Sequence, residues 1–263
     1  MKFAAVGSNC IDYYENLNGG TAFPGGGPVN MAVYAARLGA QSAYVGPVGS
    51  DPFGDLLRRA VAEKGVDVSR LRQKPGKTAV TQVLLEDGDR VLGDYDEGVL
   101  ADYRLSPEDL DFLQGFDVVV CDLWGKVGGQ FRELQARGVP TAFDGADRPE
   151  DPACREALPY TDYLFFSARE DTPALRRQMQ GYAAQGPKLV TATLGERGSL
   201  CWDGERFHSF GVAPCPQVVD TLGAGDSYIA GFLVAYAQGQ PIEAAMEAGA
   251  RNASETLGYF GAW

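Results

Sequence analysis

The chain has 263 residues, of which 45% are hydrophobic and 22% charged, so it has an ordinary globular composition and can bury a sizeable core. Its net charge of −12 argues against binding to nucleic acid or to an anionic membrane surface, and no apolar run has the length of a membrane span. The five scattered cysteines form no CxxC pair and are expected to be reduced, which favours a cytoplasmic protein. His208 is the only histidine, which argues against a His-based catalytic triad.

The first strand is predicted over residues 4–9, and the chain begins with this strand pattern rather than with a signal peptide. Asp12 follows just past the end of the strand. Open α/β sheets bind ligands outside the carboxyl ends of their strands. Asp12 is therefore either a ligand contact or an ordinary turn residue.

A loop of three glycines and two prolines, residues 23–28, precedes the first helix and leaves room for a ligand. Asn30 is predicted to open this helix, where on its own it would be an N-cap, and Gly39 to end it. The apolar spacing places four residues on the buried face: Met31, Tyr34, Ala35 and Leu38.

A β-hairpin is predicted farther along, because residues 78–86 alternate, residues 87–89 form a turn and residues 90–95 return. Four acidic residues follow closely: Asp94, Asp96, Glu97 and Asp102. They form either a solvated loop or, above a substrate, a partner for a cationic group.

Short continuous apolar runs at residues 117–121, 140–144 and 163–166 are typical of parallel strands buried on both faces. Their alternation with helical segments predicts an α/β fold with a mostly parallel, doubly wound sheet. Trp124 follows the first run and is either a core residue or part of a pocket wall. Since no linker interrupts the pattern, residues 1–263 are predicted to be one domain.

The segment 217–227 is the most informative part of the chain. An extended apolar run ends in Gly223-Ala224-Gly225, which stands at the start of a predicted helix, where free N–H groups and the helix dipole favour an anion. Asp226 would repel a phosphate there unless it takes a proton from an attacking hydroxyl. The alternative is that Asp226 only caps the helix.

Asp-Thr-x-Gly-Ala-Gly-Asp-Ser, residues 220–227, resembles the C-terminal signature of the ribokinase-like (PfkB) sugar kinases. The resemblance implies a three-layer αβα fold with a small β lid from about residues 10–23 and 77–98. It implies that Asp226 is the catalytic base and that Gly223, Ala224 and Gly225 form the anion hole. It also implies ATP and Mg²⁺ as cofactors.

The glycine loop and its helix resemble the N-terminal signature of the same family, nearly 200 residues earlier. The resemblance implies that the sugar is contacted by Asp12, by the side-chain amide of Asn30 and by three loop glycines: Gly25, Gly26 and Gly27. The turn over residues 193–198 reads by itself as a hairpin. Its resemblance to the family implies nucleotide contacts at Thr193, Gly195 and Gly198, and Asn252 matches a position that lines the adenine pocket.

Residues 167–170 depart from the family, which has Asn-x-x-Glu where this chain has Ser167 and Glu170. The resemblance implies that Glu170 organises Mg²⁺ through water, although by composition alone it would be an ordinary acid in the first turn of a helix. Ser167 has a shorter reach than Asn, which puts its role in phosphate or metal positioning in doubt. Asp220 and Thr221 are implied to serve a monovalent cation such as K⁺.

Four further segments, residues 7–12, 89–99, 124–125 and 258–263, resemble a branch of the family that phosphorylates the 6-hydroxyl of a sugar joined to an amino acid through an amine. The resemblance implies substrate contacts from Arg90 and Trp124. The acidic lid agrees with a cationic substrate, and Asp94 or Glu97 is the expected partner of its charge. Lids of this family often pair, which implies a homodimer.

Three other functions are considered. Another sugar or nucleoside kinase of the family would not need the acidic lid if its substrate were neutral. A non-catalytic sugar-binding homologue is favoured only by Ser167, and the intact Gly-Ala-Gly-Asp argues against it. A dinucleotide-dependent oxidoreductase is disfavoured, because no GxGxxG follows the first strand.

Overall fold

The computed structural model describes residues 1–86 and 89–263, without the side chains of residues 86, 89, 90 and 92. Nine strands form the large sheet, in the order β13-β12-β11-β10-β9-β8-β1-β4-β5. Their bounds are β1 Lys2–Val6, β4 Gln41–Gly49, β5 Asp67–Lys74, β8 Val118–Asp122, β9 Thr141–Asp144, β10 Tyr163–Ser167, β11 Leu189–Thr193, β12 Ser199–Trp202 and β13 Phe207–Phe210. All neighbours pair in parallel except β11 with β12 and β12 with β13.

Helices cover both faces of this sheet. Their bounds are α1 Gly27–Arg37, α2 Pro52–Glu63, α3 Pro107–Leu113, α4 Phe131–Ala136, α5 Pro152–Ala157, α6 Pro173–Ala183, α7 Ala224–Ala237 and α8 Ile242–Thr256. The core on one face is built with α1, α2, α7 and α8, and the core on the other with α3 to α6. The predicted three-layer αβα fold is confirmed. None of the helices in the described ranges is both long and apolar enough to cross a membrane.

A second sheet of four strands lies over the carboxyl ends of the central strands as a lid, in the order β3-β2-β6-β7. Its strands are β2 Cys10–Tyr14, β3 Thr21–Gly25, β6 Val80–Glu86 and β7 Asp89–Asp96. The β6–β7 pair is the predicted hairpin. Residues 87 and 88 of its turn lie outside the described part of the chain.

Several local predictions are wrong. Pro28 stands at the start of α1, where its fixed φ and missing N–H are tolerated, so the helix begins at Gly27 and Asn30 lies inside its first turn rather than at the N-cap. Leu38 is outside the helix and 40% exposed instead of buried. Asp12 is not a turn residue after the first strand. It lies within β2, where it pairs with β6. Glu170 precedes the helix, since Thr172 caps α6.

Candidate active site

Two adjoining cavities lie where the central strands end, beside the first turn of α7, and residues of the lid line the first of them. The first, of about 540 Å³, is called the acidic cavity. Five aspartates line it. Four come from separate elements, namely Asp12 of β2, Asp122 at the end of β8, Asp144 at the end of β9 and Asp226 of α7, and the fifth, Asp147, lies in the loop after β9. Negative charge is therefore concentrated where the sequence places a sugar pocket.

Asp226 is held by a chain of two hydrogen bonds. The Asn30 side-chain amide donates to Asp226 Oδ2 at 2.8 Å, and Trp263 Nε1 donates to Asn30 Oδ1 at 2.8 Å. Since Trp263 fixes the Asn30 amide with its N–H side toward Asp226, the carboxylate has a defined orientation in the cavity. Residues 258–263 resemble a branch of the family, but no pattern in the sequence predicts a role for Trp263.

The charge of Asp226 is disfavoured by its surroundings. Burial raises the pKa of this carboxyl well above its usual range, and the nearby charges of Asp144, Asp122 and Asp12 raise it further, while the Asn30 hydrogen bond lowers it. A carboxylate with a raised pKa is a stronger base than an ordinary one. This is the property that a proton acceptor for a sugar hydroxyl needs.

Asp122 and Asp144 face each other across neighbouring parallel strands, in register. Burial raises the pKa of Asp122 to about 7, and the charge of Asp144 contributes to the increase. Hydrogen bonds to Asp122, including one from Ser8 Oγ at 2.7 Å, lower the pKa and oppose this increase. Burial raises the pKa of Asp144 to about 6, although the backbone N–H of Ala146 donates to it. Sequence reasoning missed both residues as site residues.

The glycine loop makes this packing of carboxylates feasible. A Cβ on Gly27 would stand 3.0 Å from Asp122 Oδ2 and 3.3 Å from Asp226 Oδ1, and one on Gly25 would stand 2.8 Å from Asp12 Oδ2. Gly26 has φ of 103°, a conformation that favours glycine. Because these loop residues lack a Cβ, the carboxylates of Asp12, Asp122 and Asp226 can lie close to the loop backbone.

The first turn of α7 has the predicted form. Gly223 is the N-cap with φ of 75°. The N–H of Ala224 is directed to the carbonyl of Thr221 at 3.3 Å, whereas no described residue accepts from the N–H groups of Gly225 and Asp226. Two amides and the helix dipole thus remain available to an anion.

The second cavity, of about 550 Å³, is called the small-residue cavity. Small and apolar residues make up most of its wall: Gly195, Gly198, Gly211, Ala213, Val218, Ala250 and Ala253. Thr193 and Thr221 also line it, as the resemblance implies for Thr193. Its small, apolar lining suits an adenosine group.

Three residues line both cavities: Ser167, Thr193 and Gly225. Ser167 and Thr193 end adjacent strands, and their hydroxyls lie 3.1 Å apart. The two cavities therefore meet at the N-terminus of α7, beside Asp226. Ser167, the departure from the family pattern, stands at this junction with a hydroxyl able to donate.

Trp124 lines the acidic cavity and is 39% exposed, so it is a wall residue rather than a core residue. The Arg148 guanidinium stacks over its ring, 5.3 Å from the centroid. Asp94 is exposed on β7, and Glu97 forms an ion pair with Lys126 at 2.7 Å. Neither acid lines the acidic cavity.

The remaining predicted residues lie around these cavities. Glu170 is exposed and 3.5 Å from Arg197, outside both cavity walls. Asn252 is buried and donates to the carbonyl of Ser227 at 2.7 Å, which links α8 to α7. Asp220 accepts from the backbone N–H of Leu222 and of Gly261. The side chain of Arg90 lies outside the described residues.

Comparison with known proteins agrees with this geometry. The model of the pfkB family carbohydrate kinases matches residues 3–263. The chain belongs to this family. It is 45% identical over 261 residues to the fructoselysine 6-kinase of Shigella flexneri, covering 99% of this chain and 98% of that protein, and 44% identical to that of Escherichia coli over the same shares.

The chain is also similar to more distant sugar kinases. A fructosamine kinase of Bacillus subtilis is 34% identical, covering all of this chain and 93% of its own. Among solved structures, Arabidopsis thaliana ribokinase complexed with ribose and ATP superposes with a TM-score of 0.89 at 25% identity, over 99% of this chain and 93% of that one. The fold and the family are thereby established for the whole matched length.

Proposed function

We propose that this kinase transfers a phosphoryl group from ATP to the 6-hydroxyl of fructoselysine. The observation that carries the proposal is the junction of the two cavities at Asp226 and Gly225, which gives a sugar and a nucleotide one meeting point. The choice of sugar is supported by the names of the two relatives at 44–45% identity and by the acidic wall, which suits a substrate with a protonated amine.

In the proposed reaction, Asp226 accepts the proton of the 6-hydroxyl as the hydroxyl oxygen attacks the γ-phosphorus of ATP, the bond from that phosphorus to the bridging oxygen breaks, and ADP leaves. Asn30 and Trp263 keep the accepting oxygen in place. The N–H groups of Gly225 and Asp226 donate to the phosphoryl oxygens as charge develops on them. The lid covers the sugar and excludes water, which would otherwise consume ATP.

ATP and Mg²⁺ fit the residues present. The small-residue cavity would hold the adenosine, and the N–H groups of Gly225 and Asp226, which have no acceptor among the described residues, would bind the phosphates. Mg²⁺ neutralises charge on the phosphates when bound, and it commonly needs only one or two protein carboxylates in addition. Glu170 is proposed for this role through water, and Asp220 with Thr221 for a monovalent cation.

The location and assembly are also proposals. Five unpaired cysteines and the use of ATP support a cytoplasmic enzyme. Leu84 of β6 and Val91 of β7 are 37% and 41% exposed, which supports pairing of two lids in a homodimer. Light scattering of the purified protein measures this assembly directly: a monomer mass at micromolar concentration would contradict the dimer.

The experiment for the reaction couples ADP release to a spectrophotometric readout, with Mg²⁺ and with fructoselysine, fructose, ribose or a nucleoside as acceptor. We expect turnover on fructoselysine to exceed that on the other three by at least tenfold in kcat/KM. Equal or better turnover of a neutral sugar would identify another sugar kinase of the family. Folded protein without activity on any acceptor would support the non-catalytic alternative.

A further inference from the structure

Asp122 is a buried carboxyl group without a cationic partner among the described residues. Its side chain is only 2% exposed at the floor of the acidic cavity, and Ser8 Oγ donates to its Oδ2. Its other oxygen, Oδ1, is shielded from solvent and has no hydrogen bond of good geometry from a described donor, although the nearby backbone N–H groups of Trp124 and Gly125 lower the pKa of the carboxyl. No lysine, arginine or histidine of the described chain forms an ion pair with Asp122 or with the neighbouring Asp144.

Such an arrangement is costly unless a ligand supplies the missing charge. A buried carboxylate without a cationic partner shifts toward its neutral form, as Asp122 does. A cation that enters the cavity restores the charged form and gains an interaction in a poorly solvated site. The described His, Cys, Asp and Glu side chains form no cluster of three that could hold a metal ion, so an organic cation suits this place better.

The position of Asp122 relative to the reacting group is also suitable. Asp122 Oδ2 and Asp226 Oδ1 both lie within 3.3 Å of the point that a Cβ of Gly27 would occupy. One sugar unit can therefore face both carboxylates, with its hydroxyl at Asp226 and a substituent at Asp122. The two acids that the sequence suggested for charge recognition are placed less well, because Asp94 is exposed outside the cavity wall and Glu97 is paired with Lys126.

We propose that Asp122 is the specificity-determining residue that binds the protonated linking amine of the sugar-amine substrate, with Ser8 orienting its carboxylate. The inference rests on the proposed function. It assigns recognition of the positively charged substrate amine to the floor of the acidic cavity rather than to the lid. Ser8 donates to Oδ2, the oxygen on the side of Gly27 and Asp226, and this oxygen keeps a lone pair for the ammonium group. Asp144, in register on the next strand, adds negative potential to the same place.

The test compares Asp122→Asn with Ser8→Ala. Asn keeps the shape of Asp and can still accept from Ser8, but removes the charge, whereas Ser8→Ala keeps the charge and removes the donor. For each variant, kcat/KM is measured with fructoselysine and with fructose, together with the KM of ATP at saturating Mg²⁺ and a thermal melt. We expect Asp122→Asn to lower kcat/KM for fructoselysine about 30-fold or more, because a buried charge loses its partner, and to change that for fructose less than threefold.

The outcomes separate the two proposals. Wild type that prefers a neutral sugar to fructoselysine overturns the proposed function and, with it, the role of Asp122. Wild type that prefers fructoselysine, with Asp122→Asn lowering both sugars alike or neither, overturns the inference alone. An increase in the KM of ATP in Asp122→Asn would show that the carboxylate serves the nucleotide or its metal, which also overturns the inference. Ser8→Ala keeps the charge but loses its orientation, so it should lower kcat/KM for fructoselysine about 2- to 10-fold, less than Asp122→Asn does.

Discussion

The acidic cavity and the small-residue cavity meet at one turn of helix, yet they are built in opposite ways. The acidic cavity depends on charged side chains that four separate elements bring together. The small-residue cavity depends on the small size of its side chains, since glycine and alanine form half of its wall. The first should therefore respond to changes of charge and pH, and the second to added volume.

The largest effect is expected at the residue where the two cavities join. Asp226→Asn keeps the hydrogen bond to Asn30 but removes the base, so kcat should fall by roughly 10²–10⁴. The KM values of both substrates should change only a few-fold, and the melting temperature should not fall. Steady-state kinetics and a thermal melt measure these quantities, and turnover like that of wild type would refute the assignment of the base.

A matched pair of steric variants tests whether the cavities are separable. Gly27→Ala places a methyl group against Asp122 and Asp226, so kcat/KM for the sugar should fall about 100-fold while the KM of ATP is unchanged. Gly211→Tyr adds a ring to the small-residue cavity, at a position where a Cβ meets nothing within 4 Å, and should raise the KM of ATP about tenfold with the sugar KM unchanged. Equal effects of either variant on both substrates would contradict the division between the cavities.

The pH dependence of kcat tests the acidic cavity, because its aspartates titrate and the wall of the small-residue cavity is mostly uncharged. Asp226 acts only as a carboxylate, and its pKa is raised, so activity should be complete above that raised pKa and fall about tenfold per pH unit below it. The acid limb of kcat should therefore lie well above pH 4. Rates measured from pH 5 to 9, with the Asp226→Asn variant as control, test this. A flat profile over the whole range would mean that Asp226 titrates as an ordinary aspartate.

The smallest effect is expected from the residue that holds the base indirectly. Trp263→Phe keeps most of the ring but loses the N–H that fixes Asn30, so kcat should fall about 2- to 10-fold, which corresponds to one hydrogen bond. Trp202→Phe, on β12 outside both cavity walls, is the control and should leave kcat unchanged. Equal losses in the two variants would assign the effect to general packing.

The sequence predicts one cavity better than the other for a physical reason. Gly223, Gly225 and Asp226 stand on a single turn of helix, so a continuous motif contains their geometry and their local chemistry. Thr193, Gly195 and Gly198 likewise surround a single turn after β11, and all three line the small-residue cavity. Local patterns are sufficient where neighbouring residues of the chain share one site.

Asp122 and Asp144 had no such pattern, because each ends a different strand and their proximity depends on the order of strands in the sheet. Trp263 reaches Asn30 from the far end of the described chain, which no local spacing can indicate. The acidic residues of the lid were conspicuous because they are clustered in the sequence, and clustering there reflects exposure. Charges that matter to the cavity are instead dispersed along the chain.

The bond between Asn30 and Asp226 has a consequence for synthesis on the ribosome. It joins residues 196 positions apart, and the Trp263 bond spans 233 positions. The glycine loop and the aspartates of β2, β8 and β9 therefore emerge long before α7 can pack against α1. Until then the apolar face of α1 lacks its partner, so the site forms only after α7 has been synthesised and has packed against α1.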